Sequence, residues 1–327
     1  MPMTLHARIE RWPVAGAFTI SRGAKTYVDV VVAEIVDGDH VGRGEGTAIY
    51  YHDESAESVL AQVQAEADAI AHGLTRAQLQ TRLPRGAARN ALDCALWDLD
   101  AKKMALPVWK LAGLPEPRPL ITAFTISLGA PDRMEADARA SAHLPLLKLK
   151  LAGEGDEARV AAVRRGAPDA RLIVDANEAW TDRDLAAEAA ILAAYGVELI
   201  EQPVHRGRDD LLDGVISPIP FAADESCQDR ADLARCASRY QAINIKLDKA
   251  GGLTEALALA AEAKAMGLEV MVGCMLATSL GIAPAFLLAG AARWVDLDGA
   301  MLLAKDRPAA MACENGLLEP PGPDLWG

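Results

Sequence analysis

From residue 120 onward the chain repeats one texture: a short apolar, strand-like run, then an alanine-rich stretch of helical period. The runs are "LITAFTIS", "LPLLKLKL", "ARLIVDAN", "VELIEQP", "IPFAADES", "AINIKLD", "LEVMVGCM" and "ARWVDLD", with stretches such as "DRDLAAEAAILAAYG" and "LTEALALAAEAKAMG" between them. Strands that alternate with helices lie parallel, because each helix carries the chain back to the edge where the last strand began. Eight such strands predict a (β/α) barrel. An open doubly wound sheet would need a glycine-rich first turn, and the first strand is followed by none.

The region ahead of the repeat has a different character. Residues 5–50 alternate apolar and polar around an Asp37-Gly38 turn, which predicts a small antiparallel sheet. Residues 54–111 have helical period, with Leu92, Leu96 and Leu99 on one face. The proline-rich "GLPEPRP" (113–119) is the natural joint, so we expect one domain over 1–118 and a barrel over 119–305. A net charge of −13 over 327 residues argues against nucleic acid and against an anionic membrane surface. Charges interrupt the N-terminal stretch where a signal peptide needs an apolar core, and no apolar run reaches membrane-spanning length. Cysteines 94, 227, 236, 274 and 313 form no C-x-x-C pair and read as reduced thiols of a cytoplasmic protein.

The C-terminal ends of the strand runs carry the chemistry. Lys148 and Lys150 are followed by Asp175, Glu201, Asp224, Lys246, Gly273 and the pair Asp296/Asp298, at steps of 22–27 residues, about one strand plus one helix. In a barrel these ends converge on one face. Alternation places Lys148 and Lys150 on the same side of their strand, where two ammonium groups repel. Asp175, Glu201 and Asp224 come from successive strands, and three crowded carboxylates call for a divalent cation between them. Oxygen ligands without His or Cys favour Mg²⁺, with Mn²⁺ as second choice. Lys150 precedes the carboxylates and Lys246 follows them, so the two can face a bound substrate from opposite sides. That suits a 1,1-proton transfer at the α-carbon of a carboxylate: one lysine removes the proton and the other returns one. The enediolate would be stabilised by the cation and Lys148, and nearby cations should depress the pKa of the base lysine.

The motifs "KLK" (148–150), "VDANEAW" (174–180), "IEQP" (200–203), "ADES" (223–226), "NIKLDKAGG" (244–252) and "DLDG" (296–299), with "ALDCALWDL" (91–99), closely resemble those of the enolase superfamily in its muconate lactonizing subgroup. The resemblance implies an α/β protein, a modified (β/α)7β TIM-type barrel under an N-terminal α+β capping domain that the C-terminal tail (306–327) completes. Within the superfamily the sequence looks most like the L-Ala-D/L-Glu dipeptide epimerases. That likeness implies Mg²⁺-dependent inversion of the C-terminal residue of an Ala-Glu-type dipeptide, in murein peptide recycling. It assigns the substrate's ammonium group to Asp296 and Asp298, and further substrate contacts to Thr125, Gly273, Cys274 and Met275. A mobile loop near residue 20 would bring Arg22 or Lys25 to the side-chain carboxylate, the choice between them open; homo-oligomerisation is left open too.

Other acidic and basic residues are read as structural. Asp53 and Glu54 belong to a loop or helix start, Glu225 points away from Asp224, and Asn177 supports the ligands. Lys249 forms an ion pair, and Glu178 is a solvated loop residue. Cys274 has no His in phase to activate it. Two other readings stand beside the epimerase: a cycloisomerase or o-succinylbenzoate synthase-type enzyme on the same site, and a metal-binding scaffold barrel without catalysis. The acidic pair speaks against the first, and the complete set of lysines and carboxylates against the second.

Overall fold

Three glycines on alternate positions decide how the N-terminal region packs. The structure, a computed structural model, describes residues 2–20 and 23–327. Strands β1 (Thr4–Ile20), β2 (Gly23–Asp37) and β3 (His40–Thr47) form an antiparallel meander. Gly42, Gly44 and Gly46 of β3 face the helix Ala87–Met104, and a Cβ on them would stand 2.2, 2.1 and 2.3 Å from the carbonyl oxygens of Ala95, Ala91 and Ala87. Two strand residues and four helix residues both advance roughly 6 Å, so the glycine stripe and the alanine stripe run in step. The helix therefore lies directly on the sheet. Ser55 and Thr75 cap two further helices, Ala56–Ala65 and Arg76–Arg82. Glu54 accepts the backbone N–H of Ile49 and of Ala87, so it secures the start of the Ala87–Met104 helix and not of Ala56–Ala65, the helix that follows Glu54.

The first apolar run of the repeat divides between two sheets. β4 (Leu120–Ile121) pairs with a C-terminal hairpin, while β5 (Phe124–Ile126) opens the barrel. Then come β6 (Leu146–Lys150), β7 (Arg171–Asp175), β8 (Val197–Glu201), β9 (Phe221–Ala223), β10 (Ala242–Ile245), β11 (Glu269–Gly273) and β12 (Trp294–Asp296). They stand in chain order and parallel. The Ala123 N–H donates to Val295 O at 2.8 Å and joins the first strand to the last. The TIM-type barrel is thus present, with one irregularity: only a 3-10 turn, Asp209–Leu212, lies between β8 and β9.

β13 (Cys313–Glu314) and β14 (Leu317–Leu318) make the C-terminal hairpin that joins β4. The tail then returns to the cap. Arg43 donates to the carbonyls of Asp324 and Leu325, Trp326 Nε1 to Cys94 O, and the Gly327 N–H to Asp98. The capping region is completed by the far end of the chain.

Two buried acids sit where cap meets barrel. Asp248 accepts the N–H of Thr47 and the Asn90 amide, and Asp93 accepts the N–H and hydroxyl of Thr254. Burial, which disfavours the charged form, raises Asp93 to about 6 and Asp248 to about 7 from an ordinary 3.8. A carboxyl raised on folding contributes its stability fully below the unfolded value and loses it as pH rises through the folded one. The thermal midpoint should therefore fall between about pH 4 and pH 7, and Asp248→Asn should flatten part of that fall. A parent midpoint that climbs over this range, followed by circular dichroism, would contradict the assignment.

Candidate active site

Side chains on a barrel strand alternate inward and outward, so each inward position is followed by another two residues later. The inner floor is a compact apolar layer of one residue per strand: Ala123, Leu146, Ile173, Leu199, Ala222, Ala242, Met271 and Trp294. Two residues on, the same face carries Thr125, Lys148, Asp175, Glu201, Asp224, Asn244, Gly273 and Asp296. Lys150, Lys246 and Asp298 follow another step up. An apolar floor under a charged layer is the direct product of the strand period.

All of these charges are buried, and they neutralise one another. Lys150 Nζ lies 2.7 Å from Asp175 Oδ2, and Lys246 Nζ lies 2.7 Å from Asp224 Oδ2. Lys148, 1% exposed, lies 2.5 Å from Glu201 Oε2, 2.7 Å from Asp296 Oδ2 and 3.4 Å from Asp175 Oδ2. Lys249 forms the expected ion pair, to Asp224 Oδ1 at 2.6 Å. Burial alone would raise the acids, but Lys150 and Lys148 outweigh it and hold Asp175 at about 2. Lys246 and Lys249 likewise carry Asp224 well below the carboxylate range. Glu201 is raised, by burial and by the neighbouring Asp175.

The expected depression of the base lysine's pKa is not found at Lys246. Burial lowers it, but the carboxylates of Asp224 and Glu201 more than reverse that and raise it. The anions bonded to the lysine set its charge here, and they outweigh the cation beside it.

A cavity of about 420 Å³ opens above this layer. It is lined by Lys148, Lys150, Asp224 and Lys246 from the barrel and by Thr125, Cys274, Met275, Asp296 and Asp298, residues assigned to substrate from the sequence. Lys25 lines it as well; Arg22 lies outside the described residues. Asp175 and Glu201 do not reach the cavity wall; the lysines bonded to them do. Gly273 is not a lining residue either. Its role is clearance, since a Cβ there would stand 2.7 Å from Asn244 Oδ1 and 3.1 Å from Lys246 Cε.

Asp298 accepts the backbone N–H of Thr125 at 2.7 Å, and burial with the nearby Asp296 raises its pKa to about 7. Asp296 is committed on one side to Lys148, while its Oδ1 is buried with no hydrogen-bond partner among the described residues. The cap closes the cavity from above with Phe18, Ile20, Tyr50 and Tyr51, the Phe18 ring lying 5.9 Å from Lys150 Nζ.

Among the described residues, no group of three or more His, Cys, Asp or Glu side chains forms a ready-made cation cage. The donor set nonetheless fits a hard divalent ion. Asp175, Glu201 and Asp224 each turn one carboxylate oxygen toward a lysine ammonium group of the cavity, that of Lys150, Lys148 and Lys246 in turn. They are the hard, anionic oxygen donors that such an ion takes, and the ammonium groups now facing them would give way to it.

Comparison with known proteins places this geometry. Residues 133–322 match the family described as enolase C-terminal domain-like, and residues 3–113 the mandelate racemase/muconate lactonizing enzyme N-terminal domain. The chain belongs to the enolase superfamily. It is 45% identical over 311 residues to the L-Ala-D/L-Glu epimerase of Escherichia coli K12, covering 94% of this chain and 97% of that one. It is 42% identical over 300 residues to an N-acetyl-D-glutamate racemase of a Pseudoalteromonas species, covering 91% and 95%. Among solved structures it is similar to an enolase family member from Agrobacterium tumefaciens with homology to dipeptide epimerases, bound to sodium and L-Ala-L-Glu. That match has 49% identity and a TM-score of 0.97 and covers 100% of both chains.

Sequence reading missed two residues that organise this enolase-superfamily barrel. Asn244 donates from Nδ2 to Glu201 Oε1 at 2.6 Å; it lies midway between Ala242 and Lys246 on the inward face, so the strand period could have found it. Gln202, fully buried, accepts the backbone N–H of Asp224 and of Ser226 and donates to Val204 O, Ser226 and Tyr240. It lies within the IEQP motif, but its place between inward positions gave it no role. Glu178, expected in solvent, is turned inward by its left-handed backbone (φ 67°), and its carboxylate accepts the Arg206 N–H. Gly273→Ala should cost about 1–3 kcal/mol by forcing Asn244 or Lys246 aside. Urea unfolding measures this, and an unchanged midpoint would show that the neighbours have room.

Proposed function

We propose that the chain inverts the α-carbon of the C-terminal residue of Ala-Glu-type dipeptides by two-base proton transfer, with Mg²⁺ (or Mn²⁺) held by Asp175, Glu201 and Asp224. The observation that carries this reading is the placement of the two lysines. Lys150 ends β6 and Lys246 follows β10, four strands apart in a ring of eight, so they line one cavity from opposite walls. A planar α-carbon between them can lose a proton to one face and gain one from the other. The cation, when bound, supplies the positive charge that offsets the second negative charge arising on the substrate's carboxylate. Lys148, held cationic by three carboxylates, adds charge on the same side. Lys246, paired with Asp224, is in the protonated state that a proton donor needs.

The Escherichia coli relative and the Agrobacterium complex support a dipeptide with a glutamate residue. Asp298 and the unbonded Oδ1 of Asp296 give the substrate's ammonium group two carboxylate partners inside the cavity, where charge-assisted hydrogen bonds replace its water. Lys25, on the cavity wall, is the candidate for the side-chain carboxylate among the described residues, and Arg22, outside them, is the alternative. Cytoplasmic turnover of cell-wall peptides is the setting that such a substrate implies.

Lys150→Ala and Lys246→Ala should each abolish epimerisation, yet each should still exchange the α-proton of one epimer with D₂O, read by mass spectrometry. Full turnover in both directions after loss of either lysine rules out two-base transfer.

Asp298→Asn should slow turnover of Ala-Glu by roughly tenfold to a few hundredfold, the loss of one charged contact worth about 1.5–3 kcal/mol. Protonation of Asp298 removes the same contact, so kcat/KM should fall as pH drops through about 7 in the parent and not in that variant. N-acetyl-Ala-Glu and N-acetylglutamate are the deciding comparison. Turnover of either as fast as Ala-Glu would replace the dipeptide reading with N-acyl amino acid racemisation.

A further inference from the structure

The three carboxylates beneath the cavity are held in one pattern, which charge pairing alone does not require. One oxygen of each is bonded to a donor that does not act in the cavity. Asp175 Oδ1 accepts the backbone N–H of Asn177 at 2.9 Å, Glu201 Oε1 accepts Asn244 Nδ2 at 2.6 Å, and Asp224 Oδ1 accepts Lys249 Nζ at 2.6 Å. The other oxygen of each faces a lysine of the cavity: Asp175 Oδ2 Lys150, Glu201 Oε2 Lys148, and Asp224 Oδ2 Lys246.

The anchors are buried and held by their own bonds. Asn177 sits at φ 44°, a left-handed turn that folds its N–H back onto the carboxylate two residues earlier. Asn244 is 1% exposed and wedged against Gly273. Lys249 is completely buried, and its ammonium protons are taken up by Asp224 Oδ1 and the carbonyls of Asp224, Asn244 and Cys227, all within 3.0 Å. A fixed donor on one oxygen opposes the rotation by which the carboxylate would present both oxygens to one ion.

We propose that Asn244 and Lys249 are positioning residues that leave Glu201 and Asp224 one oxygen each to give, so that the site takes its cation through single oxygens and discriminates against large ions. The inference rests on the reading that these carboxylates hold the divalent cation. Mg²⁺ accepts six ligands in a tight octahedron and keeps several waters, so three single oxygens serve it well. Ca²⁺ takes six to eight oxygens and commonly draws two from one carboxylate, which the anchors deny it.

The test uses the full chain freed of metal by chelation. Calorimetric titration with MgCl₂ and with CaCl₂ should show tighter binding of magnesium. The infrared carboxylate bands of the parent should carry the unidentate signature with either ion. Asn244→Ala and Lys249→Met should each shift the Ca²⁺/Mg²⁺ affinity ratio toward calcium by about tenfold or more, the scale on which groups behind metal ligands act. A general weakening of the fold would lower both affinities and leave the ratio in place. Calcium bound by the parent as tightly as magnesium, a bidentate band in the parent, or an unchanged ratio in both folded variants overturns the proposal. Should the variants not fold, the infrared bands of the parent decide. A parent that binds neither ion overturns the cation reading itself, an outcome distinct from the others.

Discussion

Charge that cannot reach water must be neutralised where it stands, and the mouth of the barrel is organised around that requirement. Lys148, Lys150, Lys246 and Lys249 meet Asp175, Glu201, Asp224 and Asp296, equal in number and none more than 7% exposed. Such a network adds little net stability, because desolvation consumes most of the Coulombic gain. Removing a single member is another matter, since it leaves an uncompensated buried charge at a cost of about 3–5 kcal/mol. The site is therefore tightly specified as a set. The same balance sets the direction of the pKa shifts: Asp175 and Asp224, each held by two lysines, go down, while Glu201 and Asp298, buried and crowded by other acids, go up.

The cap is coupled to this network through backbone. The Ala15 N–H donates to Leu302 O and the Ala304 N–H to Pro13 O, both at 2.8 Å, which stitches β1 to the segment that follows Asp298. Asp248, two residues beyond Lys246, reaches across to Thr47 of β3 and Asn90 of the cap helix. The strand that carries Phe18 over the cavity and the loop that carries Asp298 into it are thus tied to one another. The glycine stripe of β3 serves the same end, bringing the cap helix and its Asn90 close enough to reach the barrel.

Much of the architecture was legible without coordinates because it follows from short-range periodicity. All eight apolar runs contain a barrel strand, and the two-residue period alone separates the floor from the charged layer. Lys150, Lys246 and the three carboxylates yield to the same reasoning, since each lies at or just past the end of its strand on the inward face. What escaped is instructive. The run "LITAFTIS" gave no hint that Leu120 and Ile121 leave for a sheet with the C-terminal hairpin, because their partners lie almost two hundred residues away. Gln202 was invisible because its bonds run to the backbone of a neighbouring strand and to the Tyr240 hydroxyl.

The sequence by itself determined the fold class, the order of the strands, and which side chains point into the barrel, since period and connection length are properties of the chain alone. Only the tertiary structure decided which oxygen of each carboxylate is anchored and which faces a reacting lysine. It also decided that Lys148 bridges Glu201 and Asp296, and that Lys246 is raised where a lowered base was expected. Apart from the Asn177 anchor two residues from Asp175, those outcomes depend on distances of two to four ångströms between residues 22 to 148 positions apart. In a buried site, where electrostatic energy varies steeply with separation, such distances exist only once the ring has closed.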